Sequence, residues 1–213
     1  MSALRIKLCG VRTPEDAVAC AEAGADEIGV VLAARSRRRV SLAQAREIRA
    51  ALPARVPLVG VFQDATLEDL AEAVRGVPLA AVQLHGALPG GAAPRSLPVP
   101  LYRALHVALP GGGLELSGDG LDGFARVLLD GPHGGSGQGF DWSQVPAARP
   151  RLGLPIFVAG GLSPANVGAA IRAARPDGVD VASGIEGPDG FKDPARVRAF
   201  VAAARAAASA LVE

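Results

Sequence analysis

Two residues in this sequence stand where acid–base chemistry is easily arranged. Cys9 closes the short apolar run RIKLC, and Asp130 closes ARVLLD. A free thiol titrates near ~8.5, so only a few per cent is thiolate at neutral pH. Lys7 lies two residues before Cys9, on the same face of an extended strand, where its charge would raise that fraction. Position alone leaves Cys9 open between a buried structural thiol and a proton-transferring group. It leaves Asp130 open between capping the next turn and doing chemistry. Cys20, in the middle of an Ala-rich helical stretch, reads as core packing and serves as an internal control. Asp180 in GVDVASG and Gln83 and His85 in VQLHG fall at similar places, with weaker individual claims. His106 and His133 suggest no role.

Anion binding has its own signals. The turns Ala159-Gly160-Gly161-Leu162 and Ala182-Ser183-Gly184-Ile185 each follow an apolar run. Glycine lets backbone N–H groups approach a phosphate closely, so Gly160, Gly161, Ser183 and Gly184 are candidate phosphate ligands. The run Arg35-Ser36-Arg37-Arg38-Arg39 offers guanidinium groups that pair with a carboxylate through two hydrogen bonds. Which arginine would do so is not fixed by position.

These groups converge only if the right elements carry them. Eight short, nearly continuous apolar runs read as strands: Leu4–Cys9, Glu27–Leu32, Pro57–Phe62, Ala80–His85, Pro100–His106, Ala125–Asp130, Pro155–Ala159 and Gly178–Ser183. Such runs suit a parallel sheet covered on both faces. Spread over 213 residues they give about 27 residues per unit, as in an eightfold βα repeat closed into a barrel. Helix signals lie between them. Thr13-Pro14-Glu15-Asp16 opens one helix; Ser41 precedes another over Leu42–Leu52; Thr66–Val74, Ser163–Ala174 and Asp193–Leu211 follow. Ala87–Pro98 and Pro110–Gly120 are dense in Gly and Pro, so the fourth helix should be short and the fifth irregular. An open doubly wound sheet would carry a glycine-rich loop after strand one, and Cys9-Gly10-Val11-Arg12 is no such loop. The expected fold is therefore a single α/β domain over residues 1–213, a (β/α)8 TIM barrel. Its chemistry belongs at the C-terminal ends of the strands.

Composition narrows the function classes. A net charge of +1 argues against a nucleic-acid partner. Two cysteines make neither a disulfide framework nor a zinc site. Met1–Lys7 lacks the apolar stretch of a signal peptide, and no apolar run approaches the ~18 residues of a membrane span. The simplest reading is a soluble protein of a reducing compartment.

The motifs, taken in order, resemble the phosphoribosylanthranilate isomerase family along almost the whole chain. KLCGVRTPEDA, GADEIGVVL with SRRRVS, VGVF, VQLHG, LLDG, GGSGQGFDW, AGGLSPANV, DVASGIE and KDPARVRAF carry the resemblance. It implies an Amadori rearrangement in tryptophan biosynthesis, converting N-(5-phosphoribosyl)anthranilate to 1-(2-carboxyphenylamino)-1-deoxyribulose 5-phosphate. No metal or organic cofactor is needed, and the enzyme implied is cytoplasmic, a monomer or homodimer, acting on a small molecule. Carried onto this chain, Asp130 is the general acid and Cys9 the general base. Gly160, Gly161, Ser183 and Gly184 hold the phosphate, Arg38 faces the anthranilate carboxylate, and His85 and Asp180 line the site. GSGQGFDW corresponds to a mobile loop after strand six. The chain departs from the family pattern at Gly29-Val30-Val31-Leu32, where phenylalanines are common, and at Ala182, where serine or asparagine is frequent. Two neighbouring readings are a dual-substrate isomerase of the histidine and tryptophan pathways and a catalytically inactive barrel kept as an assembly partner. The first uses a carboxylate where Cys9 stands, and the second has no use for a Cys9–Asp130 pair.

Overall fold

Eight parallel strands pair each with the next, and β1 (Arg5–Cys9) pairs with β8 (Gly178–Val181), closing the sheet on itself. Between these two lie β2 (Glu27–Val31), β3 (Leu58–Gln63), β4 (Ala81–His85), β5 (Leu101–His106), β6 (Arg126–Asp130) and β7 (Ile156–Val158). The computed structural model describes residues 3–91, 93–107, 120–131 and 140–211. All eight expected strands are present, trimmed by a residue or two at their ends. No described helix is long and apolar enough to cross a membrane.

Among the described residues, four of the six α-helices begin where polar side chains satisfy orphan N–H groups. Thr13 accepts from the Asp16 N–H at 3.1 Å ahead of α1 (Pro14–Glu22). Ser41 with Gln44, and Thr66 with Asp69, form reciprocal caps for α2 (Leu42–Ala51) and α3 (Leu67–Gly76). Asp193 caps α6 (Pro194–Ser209) through the N–H groups of Ala195 and Arg196. Where a short fourth helix was expected, the described residues after β4 hold only a 3-10 turn at Pro89–Gly91. Most of the β5–β6 connection lies outside the described residues.

Two helices differ from expectation. The sequence offers no helix signal between β6 and β7, yet α4 spans Val145–Leu152. Pro146 sits in the first turn, where the missing N–H costs nothing, whereas Pro150, in the last turn, gives up the bond to the Pro146 carbonyl. Gly153, at φ 63°, then ends it in the left-handed conformation. Ser163–Ala174 was expected as one helix, but α5 covers only Val167–Ala174. Residues 163–166 instead fold as a turn around Asn166, whose side chain accepts from the Ser163 N–H at 2.7 Å and donates to the Gly161 carbonyl at 2.8 Å. The sequence that looked like a helix start is spent on bracing the Gly160-Gly161 turn.

Alternation along each strand sorts side chains between two cores. Ile6 and Leu8 join the large outer core beneath the helices, with Val30, Leu129 and Val179. Lys7 and Cys9 point into the lumen, as the strand period requires. Inside, Ala104, Leu128, Phe157 and Ala159 pack one apolar cluster, and Cys9, Val31, Ala33 and Val61 another nearer the mouth. The lumen is a packed core open at one end, where the strands finish.

Candidate active site

At that open end a cavity of about 310 Å³ is lined by Cys9 from β1, Asp130 from β6, Asp180 from β8 and Arg38 from the loop after β2. Gln83 and His85 from β4 and His106 from β5 complete its polar wall. A smaller recess of about 60 Å³ adjoins it, sharing Asp130, Asp180 and Ala182, and is lined by Gly160, Gly161 and Ser183. Gly184 does not line this recess; it packs its Cα against the Leu162 carbonyl in the turn Ser183–Ile185. The structure therefore gathers every candidate residue except Gly184 around two joined hollows. Of the loop motif GSGQGFDW, residues 135–139 lie outside the described residues.

Lys7 is wholly buried and donates to Asp180 Oδ1 at 2.8 Å. Burial alone would lower its pKa, but Asp180, with Cys9 and Glu27, more than reverses this and the ammonium is held charged. The expectation for Cys9 needs correcting in its net result. Lys7 does pull the thiol's pKa down, but burial dominates and Cys9 stands above its ordinary value. The thiol and ammonium meet because β2 presents Gly29 beside them. A Cβ there would stand 2.8 Å from Cys9 Sγ and 3.1 Å from Lys7 Nζ. Sequence reasoning passed over Gly29 as one glycine among 27.

Asp130 is pushed up to about 6, chiefly by burial and then by the Asp180 charge, with His106 and the Gly131 N–H opposing. A carboxyl in this range keeps a usable proton near neutrality. The β7 loop closes tightly over it. Gly160 has φ 77°, and a Cβ there would collide with the Gly131 backbone and come within 2.8 Å of Asp130 Oδ1. No hydrogen bond to a described residue engages the N–H groups of Gly160 and Gly161, which suits them to an anion.

His85 is lowered to about 3 by burial first, then by Lys7, His106 and Arg103, so its imidazole is neutral. Its Nε2 lies 2.7 Å from Gln83 Nε2, and Gln83 Oε1 is buried without a partner among the described residues. Among the five residues 35–39, the structure singles out Arg38. Arg35, Arg37 and Arg39 are exposed, whereas Arg38 lines the cavity and donates from Nε and Nη2 to Glu186 at 2.5 and 3.0 Å.

A thiol and a protonatable carboxyl face one hollow at the C-terminal mouth of a closed parallel barrel, the end at which barrel enzymes hold their active sites. Comparison with known proteins places the chain more narrowly. The profile of the N-(5'phosphoribosyl)anthranilate (PRA) isomerase family matches residues 6–203, and the chain belongs to that family. It is 43% identical to the N-(5'-phosphoribosyl)anthranilate isomerase of Pseudomonas fluorescens over 99% of this chain and 100% of that one. The Pseudomonas aeruginosa enzyme is 45% identical over 96% and 97%. Among solved structures, the Thermus thermophilus phosphoribosyl anthranilate isomerase superposes with a TM-score of 0.82 at 32% identity, covering 99% of this chain and 100% of its own. Another, phosphoribosyl anthranilate isomerase in complex with reduced 1-(o-carboxyphenylamino)-1-deoxyribulose 5-phosphate, gives 0.78 at 33% identity over 95% and 99%.

Proposed function

We propose that Asp130 and Cys9 are the acid and base with which this isomerase rearranges N-(5-phosphoribosyl)anthranilate to 1-(2-carboxyphenylamino)-1-deoxyribulose 5-phosphate. The reading rests on one observation above the rest: a carboxyl raised to about 6 and a thiol face the same cavity from opposite sides of the barrel. Asp130 gives its proton to the furanose ring oxygen as the C1–O bond breaks, leaving an iminium at C1. That cation acidifies the C2–H bond, and Cys9 removes the C2 proton to give an enolamine. Protonation at C1 and loss of the C2 hydroxyl proton complete the ketone, so the reaction consumes no net proton.

The electrostatics favour this order of events. Burial holds the Cys9 thiol above its ordinary pKa even with Lys7 beside it. Ring opening leaves the net charge of the cavity unchanged, because the iminium forms as Asp130 becomes a carboxylate. It acts on the substrate, acidifying C2–H so that the thiolate form of Cys9, which Lys7 favours, can remove the proton. The phosphate sits in the recess of Gly160, Gly161 and Ser183, with Asn166 bracing the turn, and Gly184 follows at its edge. His85, Asp180 and Arg38 bound the sugar and the aromatic acid. A scaffold role and a dual-substrate role are not favoured beside the family match and the curated relatives.

The test is the decay of anthranilate fluorescence on freshly made phosphoribosylanthranilate. Cys9→Ala and Asp130→Asn should each lose roughly 10²–10⁴-fold in kcat, while Cys20→Ala, in the outer core, remains active. A Cys9→Ala enzyme as fast as the parent would remove the base from the scheme.

A further inference from the structure

Arg38 sits in a run of four arginines, yet it alone lines the cavity, and the cause lies on the far side of the mouth. Its aliphatic stem crosses Gly10, where φ is 73° and a Cβ would fall 2.5 Å from Arg38 Cδ. Its guanidinium is then gripped edge-on by Glu186, in the loop after β8, through Nε and Nη2. Nη1 makes no hydrogen bond to a described residue. Glu186 is itself immobilised. It pairs with Lys192 in an antiparallel bridge, its N–H donates to the Ser183 carbonyl at 3.0 Å, and its carbonyl accepts from Arg196 at 2.6 Å. The Lys192 ammonium reaches Glu186 Oε1 at 3.3 Å and the Ala182 carbonyl at 3.0 Å. The Glu186 and Lys192 side chains are only 5% and 1% exposed.

The charge count adds a second argument. One carboxylate, Glu186, meets two largely buried cations, Arg38 and Lys192, which leaves one positive charge in excess beside the cavity; Arg37 also reaches Glu186 but is 70% exposed and solvated. A cluster built only for stability would close its own charge, because buried ions without partners are costly. This one is balanced further by an incoming anion.

We propose that Glu186, locked against Lys192, is a positioning residue that aims Arg38 at the substrate's ring carboxylate. Selection of an N-(2-carboxyphenyl) sugar is then set by the β8 loop as much as by the arginine run. The inference rests on Arg38 meeting that carboxylate. One loop thus serves both ends of the substrate: Ser183 lies at the phosphate recess, and Glu186, three residues on, holds the carboxylate's partner.

Steady-state kinetics and binding of the reduced product analogue, made with and without its ring carboxylate, test this. Loss of a charge-assisted bond predicts that Glu186→Gln raises KM, and the Kd of the carboxylate-bearing analogue, about tenfold, with a much smaller change in kcat. The analogue without the carboxylate should bind parent and variant alike. Arg38→Ala should show the same pattern, and adding Glu186→Gln to it should change nothing further. If Arg38→Ala binds both analogues as the parent does, the carboxylate reading fails and takes this inference with it. If Arg38→Ala loses discrimination but Glu186→Gln keeps it, or the two effects multiply, Arg38 binds the carboxylate without help from Glu186 and the proposal is overturned. Should Glu186→Gln be recovered unfolded, Arg38→Lys answers instead. It keeps the charge but cannot make the two-toothed bond, so a parental KM would reject the positioning role.

Discussion

Both ends of the barrel lumen hold buried charge, and they treat it in opposite ways. At the closed end Glu27, 1% exposed, accepts from Arg5 at 3.0 Å and from both terminal nitrogens of Arg126 at 2.8 and 2.9 Å. Arg126 in turn is sandwiched between the rings of Phe157 and Tyr102, at 3.8 and 4.1 Å from their centroids. Both Glu27 oxygens and both terminal nitrogens of Arg126 have partners there. At the open end the polar groups are left wanting. Asp130 is raised by burial and a neighbouring carboxylate, His85 is kept neutral, and among the described residues Gln83 Oε1 and one nitrogen of Arg38 have no partner. Closed charge stabilises a lumen; unclosed charge is held ready for a substrate.

Breaking the closed cluster should therefore cost stability and spare chemistry. Arg126→Met leaves Glu27 hydrogen-bonded to the half-exposed Arg5 alone, with Lys7 as a more distant charge, and the loss of a buried partner predicts about 3 kcal/mol of destabilisation. For a domain of this size that is a fall in Tm of roughly 6–12 °C, while kcat and KM of the folded enzyme hold. Thermal melts beside kinetics decide it: a kcat that falls with the Tm would erase the distinction between the two ends. Replacing the pair together, as Glu27→Leu with Arg126→Met, sharpens the point, since removing both charges is often neutral or better.

At the open end the converse holds. Gly29→Ala inserts a methyl group against Cys9 Sγ and Lys7 Nζ, and one must move. A shift of the order of 1 Å in a reacting group typically costs ~10²-fold in rate, so kcat should drop by that order with only a modest fall in Tm. Unaltered kcat in a well-folded Gly29→Ala enzyme would mean that the thiol's exact seat does not matter.

The contrast also explains what the sequence disclosed. Strands were legible because both-face burial writes itself as unbroken apolar runs such as EIGVVL, and the strand ends then pointed to Cys9 and Asp130. Groups whose roles arise from closure were not. Glu27 reads as a strand's first residue until the barrel brings Arg126 across the lumen from 99 positions away. Glu186 and Lys192 look like ordinary loop charges until the loop folds back and lays the first against Arg38, 148 positions distant. Helix α4 was hidden by its two prolines, whose tolerance depends on which turn they occupy. In α5 the Asn166 side chain took over a stretch that apolar spacing assigned to helix.

The smallest expected effect separates the two ends through stability alone. An unfolded aspartate titrates near ~3.9, whereas Asp130 in the folded protein is raised to about 6. Between these values the folded state holds a proton that the unfolded chain has released, so Asp130 costs stability as pH rises through that window, and the full penalty is present above pH 6. Two units at 1.36 kcal/mol each set the scale at about 2–3 kcal/mol. Asp130→Asn abolishes the penalty along with the acid. It should melt higher than the parent at pH 7.5, and the advantage should vanish below pH 4. His85 acts in the other direction. Lowered to about 3, it withdraws stability as pH falls from about 6.5, but it does so in parent and variant alike and cancels in their difference. A difference in unfolding free energy that stays flat from pH 4 to 8 would mean that Asp130 carries no raised pKa. The open end would then lose the strain that sets it apart from the closed one.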